Sequence, residues 1–205
     1  TSAGETGTLL RRRRDIPTQI TVVAHDSLAP QVVFAGTNTG VLLVSTDGGV
    51  RWKTRNAFHQ GITGLEISPT VPGRMLLRLA DGRLVHSSDG GITVNRSLIG
   101  KDANELSGLV ATEKPEVTHA VLFERPTNNG IETILAGTES GLFRSLDGGA
   151  TWTQLPLPPS GIPSGTVDTP VRSLAQSADG RLWATSGFVL LSSADGGTTW
   201  RAGRM

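Results

Sequence analysis

The sequence lacks several residue types, and each shortage excludes a class of site or function. Among its 205 residues there is no cysteine and no tyrosine. Without cysteine the chain forms neither a disulfide nor a thiolate metal site. No apolar run approaches the roughly 18 residues of a membrane-spanning helix, so no membrane span is predicted. The formal net charge of +1 supplies no overall field for a polyanion, and we expect no nucleic-acid partner.

The residue pattern also gives no support for a metal or cofactor site. The four histidines are scattered along the chain, with no pair at ligand spacing: His25, His59, His86 and His119. The oxygen-bearing residues Asp102, Asn104 and Glu105 lack the glycine and the closing glutamate of a calcium loop. The glycines are explained by turns, and none forms a phosphate-binding loop. We therefore predict no metal and no cofactor.

One eight-residue phrase recurs four times, at 45–52, 87–94, 145–152 and 193–200. Each copy contains Asp-Gly-Gly between two β-rich runs. The Asp side chain is expected to accept hydrogen bonds from backbone N–H groups two or three residues on, and glycine supplies positive φ. Such a turn predicts a hairpin whose strand register is fixed. The Trp three residues past the second Gly is expected to fill the gap between neighbouring sheets.

We interpret the residues of these phrases as structural. They are Ser45, Asp47, Gly49 and Trp52; Ser87, Asp89 and Gly91; Ser145, Asp147, Gly149 and Trp152; and Ser193, Asp195, Gly197 and Trp200. In the second copy Val94 stands where the others have Trp, which indicates that the turn chemistry is kept while the packing residue varies.

The four copies resemble the Asp-box, or BNR repeat, of sialidase-like β-propellers. Related repeats occur in sortilin-type domains, xyloglucanases and photosystem II assembly factors. Successive Asp residues of the phrase are 42, 58 and 48 residues apart, and a period in the forties is typical of propeller blades. The resemblance implies an all-β propeller with the boxes on hairpins at its rim, a part of the fold that supports the structure and takes no part in chemistry.

Sixteen strand-like runs in groups of four predict four four-stranded antiparallel blades. The fourth run of each group is predicted at 51–55, 93–97, 151–155 and 199–201. We favour a closed four-bladed ring slightly over a partial larger propeller or a ring completed by a second chain. Because the chain begins with Thr, we also expect a processed or partial chain.

The chain divides into a basic N-terminal segment, 1–19, and a propeller, 20–205. The blades are predicted at 20–56, 61–98, 117–155 and 171–201. The uneven period places extra length at about 99–117 and 156–170, between one blade's outer strand and the next blade's inner strand. In a meander these links lie on the face opposite the boxes, together with the arginine run before the first strand. Long loops gathered on one face of a rigid scaffold are typical of a functional site.

We therefore predict a partner-binding surface on the loop-bearing face. Its residues are Arg11, Arg12, Arg13, Arg14, Asp102, Glu105 and Asp168. An arginine run of this kind suits an acidic protein surface or lipid headgroups, and the alternative interpretation is a solvated tail. The family resemblance adds that photosystem assembly factors of this type dock membrane-protein partners through an arginine-rich patch.

The sequence supports an enzymatic function less well than it supports partner binding. A sialidase would need a tyrosine nucleophile, and the chain has no tyrosine. Other glycosidases need a pair of carboxylates, and nothing singles out a pair among the loop-face candidates Asp81, Asp102, Glu105, Glu139 and Asp168. Aromatic residues make up 4% of the chain, too few for a cleft that stacks sugars.

The sequence thus predicts a non-catalytic propeller that binds protein partners as an accessory or scaffold subunit of a larger, membrane-associated assembly. Self-association that completes the ring is part of this expectation. The alternative is a carbohydrate-binding or glycoside-hydrolysing propeller without sialidase chemistry. Family tendency alone predicts an extracytoplasmic location, which means secreted, periplasmic or lumenal.

Overall fold

A computed structural model describes residues 18–100, 116–124, 132–158, 170–187 and 189–203. The first sheet contains β1 (Ile20–His25), β2 (Val33–Thr37), β3 (Val41–Ser45) and β4 (Lys53–Ala57), and the second contains β5 (Ile62–Ile67), β6 (Met75–Leu79), β7 (Leu84–Ser87) and β8 (Asn95–Arg96). The third contains β9 (Thr118–Phe123), β10 (Ile134–Thr138), β11 (Gly141–Ser145) and β12 (Thr153–Leu155), and the fourth contains β13 (Val171–Gln176), β14 (Leu182–Ser186), β15 (Val189–Ser193) and β16 (Arg201–Ala202).

Each sheet is a simple meander whose four strands pair with their sequence neighbours in antiparallel fashion. The described residues contain no helix. The prediction of four four-stranded antiparallel sheets is therefore confirmed. The fourth strand of each sheet begins two residues later than the sequence predicts, because the Asp-Gly-Gly turn occupies the chain through the Trp position before β pairing resumes.

The four sheets share one register, so equivalent positions can be identified. The pairs Val23–Ala35, Leu65–Leu77, Val121–Ala136 and Leu174–Ala184 occupy the same place in the first and second strands. Their partners on the third strands are Leu43, Val85, Phe143 and Leu191. Every sheet therefore carries one apolar row across its first three strands, as alternation along β-strands allows.

The core lies between successive sheets rather than within any one of them. One hydrophobic cluster joins the first and second sheets and includes Phe34, Leu42 and Leu77. A second joins the second and third sheets, and a third joins the third and fourth. None of these three clusters contains residues of both the first and the fourth sheet. The described residues therefore show no cluster that would close the four-bladed ring favoured from the sequence.

The connections lie on two opposite faces. We call the face with the four Asp-Gly-Gly turns and the first-to-second strand turns the turn face, and the opposite one the loop face. On the turn face, Gly48 N donates to Gln31 O at 2.9 Å, which ties the two kinds of turn together. On the loop face, Thr118 N donates to Gly82 O at 3.0 Å, which ties the second sheet to the start of the third.

Candidate functional site

The partner-binding surface predicted from the sequence lies outside the described residues. This applies to Arg11, Arg12, Arg13 and Arg14, to Asp102 and Glu105, and to Asp168. Most of the two long connections, at 99–117 and 156–170, lies outside them as well. The described part of the loop face consists of the residues that flank these segments, and the turn face lies opposite it.

The Asp-Gly-Gly turns repeat one hydrogen-bond pattern. In the third turn, Asp147 Oδ1 accepts from Ser145 Oγ at 2.7 Å and from Thr151 N at 3.0 Å. Gly149 N donates to Ser145 Oγ at 2.9 Å. The carboxylate therefore reaches a backbone N–H four residues on, one residue further than the sequence suggests, although it also accepts from Ala150 N at 3.0 Å. The Ser145 hydroxyl therefore donates to the carboxylate and accepts from the N–H of the second glycine.

These hydrogen bonds favour the ionised carboxylate. The Thr93 hydroxyl and backbone N–H lower the pKa of Asp89 to about 2, and the same donors of Thr199 lower that of Asp195 to about 2. The pKa of Asp47 is lowered mainly by the backbone N–H of Arg51. A carboxylate held by several donors is a poor proton donor at neutral pH, since its conjugate acid is disfavoured. The geometry of the turns therefore offers no general acid.

The Trp residues of the turns differ in burial. Each of Trp52, Trp152 and Trp200 donates its indole N–H to the carbonyl of the second turn glycine, at 2.9–3.0 Å. Trp152 and Trp200 also pack into the clusters that join their sheets to the preceding ones. Val94 packs into the first cluster in the same way. Trp52 is exposed, and the described residues contain no sheet before the first that would cover it.

On the loop face a charged group lies where the third and fourth sheets meet. His119 Nε2 is 3.0 Å from Glu139 Oε1, and Arg172 Nη2 is 3.6 Å from the same oxygen. Arg78 Nη1 donates to His119 O at 2.6 Å, which connects the second sheet to the group. The Glu139 and Arg172 side chains are exposed, so the group presents both signs of charge to solvent.

The second described loop-face carboxylate is also paired with a cation. Asp81 Oδ2 accepts from Arg83 Nε at 2.7 Å, and its Oδ1 accepts from Arg83 N at 3.1 Å. Beside Asp81 is an open groove of about 490 Å³, lined by Thr63, Leu79, Ala80, Asp81, Gly82, Val117 and Thr118. Of the five carboxylates considered for glycoside hydrolysis, the structure thus places Asp81 and Glu139, each beside its own cation.

Three buried glutamates were not predicted from the sequence. Glu132 accepts hydrogen bonds from Ser68 and Thr70 and forms an ion pair with Arg74 at 2.6 Å, linking the second and third sheets. The Glu116 carboxylate accepts hydrogen bonds from Ser140 N at 2.9 Å and from Ser140 Oγ at 2.8 Å. Partners so distant in sequence leave no local spacing signal.

The third, Glu124, is buried and its Oε1 has no hydrogen-bond partner among the described residues. Burial raises the pKa of Glu124 to about 7, with Arg144 acting in the opposite direction. A carboxyl group with a pKa near 7 keeps its proton at pH values where an ordinary glutamate is ionised. The Glu124 side chain is therefore neutral in weakly acidic solution.

No metal site is found in the described part of the chain, where no three His, Asp or Glu residues converge. His25 and His59 are exposed; His25 ends β1, and His59 lies in the link between β4 and β5. His119 Nε2 is 3.0 Å from Glu139 Oε1. Burial lowers the pKa of His86, with the charge of Asp147 acting in the opposite direction. None of the described segments forms a helix of the length and apolarity needed to cross a membrane.

Comparison with solved structures identifies the architecture. An ancestral GH74 enzyme superposes with a TM-score of 0.66 at 18% identity, covering 90% of this chain and 25% of the enzyme. The structure of YCF48 bound to D1 peptide gives a TM-score of 0.56 at 16% identity, with 91% and 55% covered. The fold is a β-propeller. The extracellular domain of a one component system from B. thetaiotaomicron is similar in the same way, with a TM-score of 0.61 at 15% identity.

In that third comparison the chain is covered over 90% of its length and spans 22% of the neighbour. The chain thus spans between about a fifth and about half of these propeller proteins. No protein-family model and no curated protein sequence matches it. At these identities the likeness establishes the fold, and that fold is shared by enzymes and by proteins of other kinds.

Proposed function

We propose that this protein is a non-catalytic propeller that binds a protein partner through its loop face, as an accessory or scaffold subunit of a larger, membrane-associated assembly. The observation that carries the proposal is the state of Glu139 and Asp81, the two candidates for glycoside hydrolysis that lie among the described residues. Glu139 is paired with His119 and Arg172, and Asp81 is paired with Arg83. Paired and exposed charges suit recognition of a complementary surface, whereas bond cleavage needs two convergent, differently tuned carboxyl groups.

Two further points support a protein partner. The solved YCF48 propeller has a D1 peptide bound, so a propeller of this kind accommodates a polypeptide ligand. The long connections and the arginine run at 11–14 are predicted on the same face as the exposed Glu139 and Arg172 side chains. We include in the proposal the domain division at 1–19 and 20–205, the Asp-box identity of the four turns, and an extracytoplasmic location.

The test compares charge reversals on the two faces. Arg12→Glu with Arg13→Glu should reduce recovery of partners in a quantitative pull-down from membrane extracts of the source cells. The matched control is Arg51→Glu with Arg181→Glu, which makes the same change in charge on the turn face. Unchanged recovery with the loop-face variant, or equal losses with both variants, would reject the proposal.

A carbohydrate-directed function is the second candidate, because a GH74 enzyme shares the fold and an open groove lies beside Asp81 and Thr63. A glycan array together with a panel of chromogenic glycosides separates the two candidates. A protein-binding propeller should give no signal in either assay. Binding or hydrolysis that is lost in Asp81→Asn would favour the carbohydrate reading.

A further inference from the structure

A cleft beside the Asp-Gly-Gly turn occurs at equivalent places on the first and third sheets. The cleft on the first sheet has a volume of about 360 Å³, and its lining includes Val44, Thr46, Asp47, Arg51, Lys53 and Arg55. The cleft on the third sheet has a volume of about 270 Å³ and is lined by Arg144, Leu146, Asp147, Thr151 and Thr153. Every residue of the third cleft has its repeat equivalent in the first. The two clefts are therefore one feature of the repeat, and we call them the first cleft and the third cleft.

The two clefts differ in charge. The lining of the first contains three cations, Arg51, Lys53 and Arg55, whereas that of the third contains one, Arg144. Each cleft also contains the carboxylate of its turn. Three cations and one carboxylate give the first cleft a formal charge of +2, and one of each leaves the third neutral. None of the three cations forms an ion pair with a carboxylate in the described part of the chain.

The first turn lacks a hydrogen bond that the other three turns share. In those three, the Thr that follows the Asp by four residues donates its hydroxyl to the second carboxylate oxygen, at 2.5–2.6 Å. Arg51 occupies this position in the first turn, and no described hydroxyl donates to Asp47 Oδ2. A cation thus replaces a stabilising hydroxyl in one copy of the repeat. Places where a chain departs from its own local pattern are typical of functional sites.

A β-bulge adds Arg55 to the same cleft as Lys53. Between Leu42 and Leu43 the pairing with β4 shifts, which leaves Arg55 as an extra residue on β4. The third-to-fourth strand pairs of the other sheets show no such shift over their described lengths. Arg55 is half-buried, and its Cγ would lie 3.4 Å from a Cβ on Gly91 of the second turn. Its Nε is enclosed and has no hydrogen-bond partner among the described residues, so this cation lacks the counter-charge that burial favours.

We propose that the first cleft is a binding site for a phosphate group, carried either by a small molecule or by a lipid headgroup. A phosphate monoester carries a charge of about −1.5 to −2 at pH 7, which balances the formal charge of +2. A carboxylate would balance only half of that charge. Arg side chains bind phosphate oxygens through two N–H groups at once, and Lys adds a point charge.

The size and the position of the cleft agree with such a ligand. Its volume of about 360 Å³ is near the lower end of the roughly 300–1,000 Å³ of small-molecule sites, which suits a phosphate group with a small organic part. The cleft lies beside the first Asp-Gly-Gly turn, whereas the proposed protein contact is on the loop face. The phosphate site therefore does not depend on the proposed function, and either can fail without the other.

The first test is calorimetric titration of the whole chain at low ionic strength with inorganic phosphate, with glycerol 3-phosphate and with acetate. The two phosphate probes should bind at one site per chain, and the affinity should fall as salt is added, because screening weakens the attraction of partly exposed charges. Acetate should bind at least about tenfold more weakly, since it carries half the charge. Equal affinity for acetate and phosphate would overturn the proposal.

The matched variants use the third cleft as a template. Arg51→Thr with Lys53→Thr gives the first cleft the residues that the third has at the same positions, so the turn keeps a sequence that folds. The affinity for the phosphate probes should fall about tenfold or more. The control Arg181→Thr with Arg201→Thr removes the same charge from exposed positions of the fourth sheet and should leave the affinity unchanged. Equal losses in both variants would mean general attraction by surface charge and would overturn the site.

Vesicle sedimentation distinguishes the two sources of the phosphate group. Vesicles containing phosphatidic acid are compared with phosphatidylglycerol vesicles of equal surface charge, whose phosphate is a monoanionic diester. Preferential binding to phosphatidic acid that is lost in Arg51→Thr with Lys53→Thr would assign the site to a lipid headgroup. Binding of the soluble probes without this preference would assign it to a small molecule. Binding of neither the soluble probes nor the phosphatidic acid vesicles would overturn the proposal.

Discussion

Asp147→Ala tests whether the Asp-Gly-Gly turns stabilise the fold. The substitution removes the acceptor of Ser145 Oγ, of Thr151 N at 3.0 Å and of Thr151 Oγ1 at 2.5 Å. A hydrogen bond contributes about 0.5–1.5 kcal/mol net, and donors freed on this exposed turn regain water. We therefore expect the free energy of unfolding to fall by about 1–3 kcal/mol, below the simple sum of the lost bonds.

Urea denaturation followed by tryptophan fluorescence measures this change, and a thermal scan should show a midpoint lower by about 2–12 °C for a chain of this size. The matched control is Asp179→Ala, which removes an exposed turn carboxylate bound by Ser177 Oγ and Arg181 N. Its cost should stay below about 1 kcal/mol. Asp147→Asn keeps an oxygen acceptor and should fall between the two.

A loss for Asp147→Ala no larger than for Asp179→Ala would refute the structural role of the turn. Binding of a protein partner provides an independent readout, because the turn face is opposite the proposed contact. Recovery of partners by Asp147→Ala should equal that of the wild type at a temperature where both are folded. Lost binding with unchanged stability would mean that the functional and structural faces are reversed.

Two further predictions concern the core and the buried acid. Leu142→Ala should cost about 2–5 kcal/mol, because this side chain is fully buried between the third and fourth sheets. Leu146→Ala, on an exposed turn of the same sheet, should change stability by about 0.5 kcal/mol or less, and equal losses in urea denaturation would contradict the packing. Glu124→Gln should weaken the decline in stability with rising pH. The pKa of Glu124 is raised from 4.5 to about 7, so between these values the folded chain holds a proton that the unfolded chain has released, and stability falls as pH rises. Urea midpoints at about pH 5 and pH 8 measure the change, and identical pH dependence in wild type and variant would show that Glu124 ionises freely when folded.

Local chemistry allowed much of the architecture to be predicted from the sequence. Asp, Gly and Ser at fixed offsets specify a turn through contacts within eight residues, so four phrases such as the one at Asp47 locate four outer hairpins without tertiary information. The late start of β4 was missed, since the length of chain that the turn occupies depends on how far the Asp47 carboxylate reaches.

The candidate site was less predictable because its contacts join distant parts of the chain. The group of His119, Glu139 and Arg172 depends on how the third and fourth sheets are placed beside each other. No periodicity marks such a group, and each member alone resembles an ordinary surface residue. The same is true of Glu132, whose partners lie on the preceding sheet.

The sequence by itself determined the repeat, the turn chemistry and the all-β meander, because these depend on residues close together in the chain. Only the tertiary structure decided which equivalent residues are buried. Leu142 and Leu190 have the same register and the same side chain, yet the first is enclosed and the second faces solvent. The physical reason is that a side chain on the face of a sheet is buried only where another sheet packs on that face. The sequence of the strand does not show whether such a sheet is present.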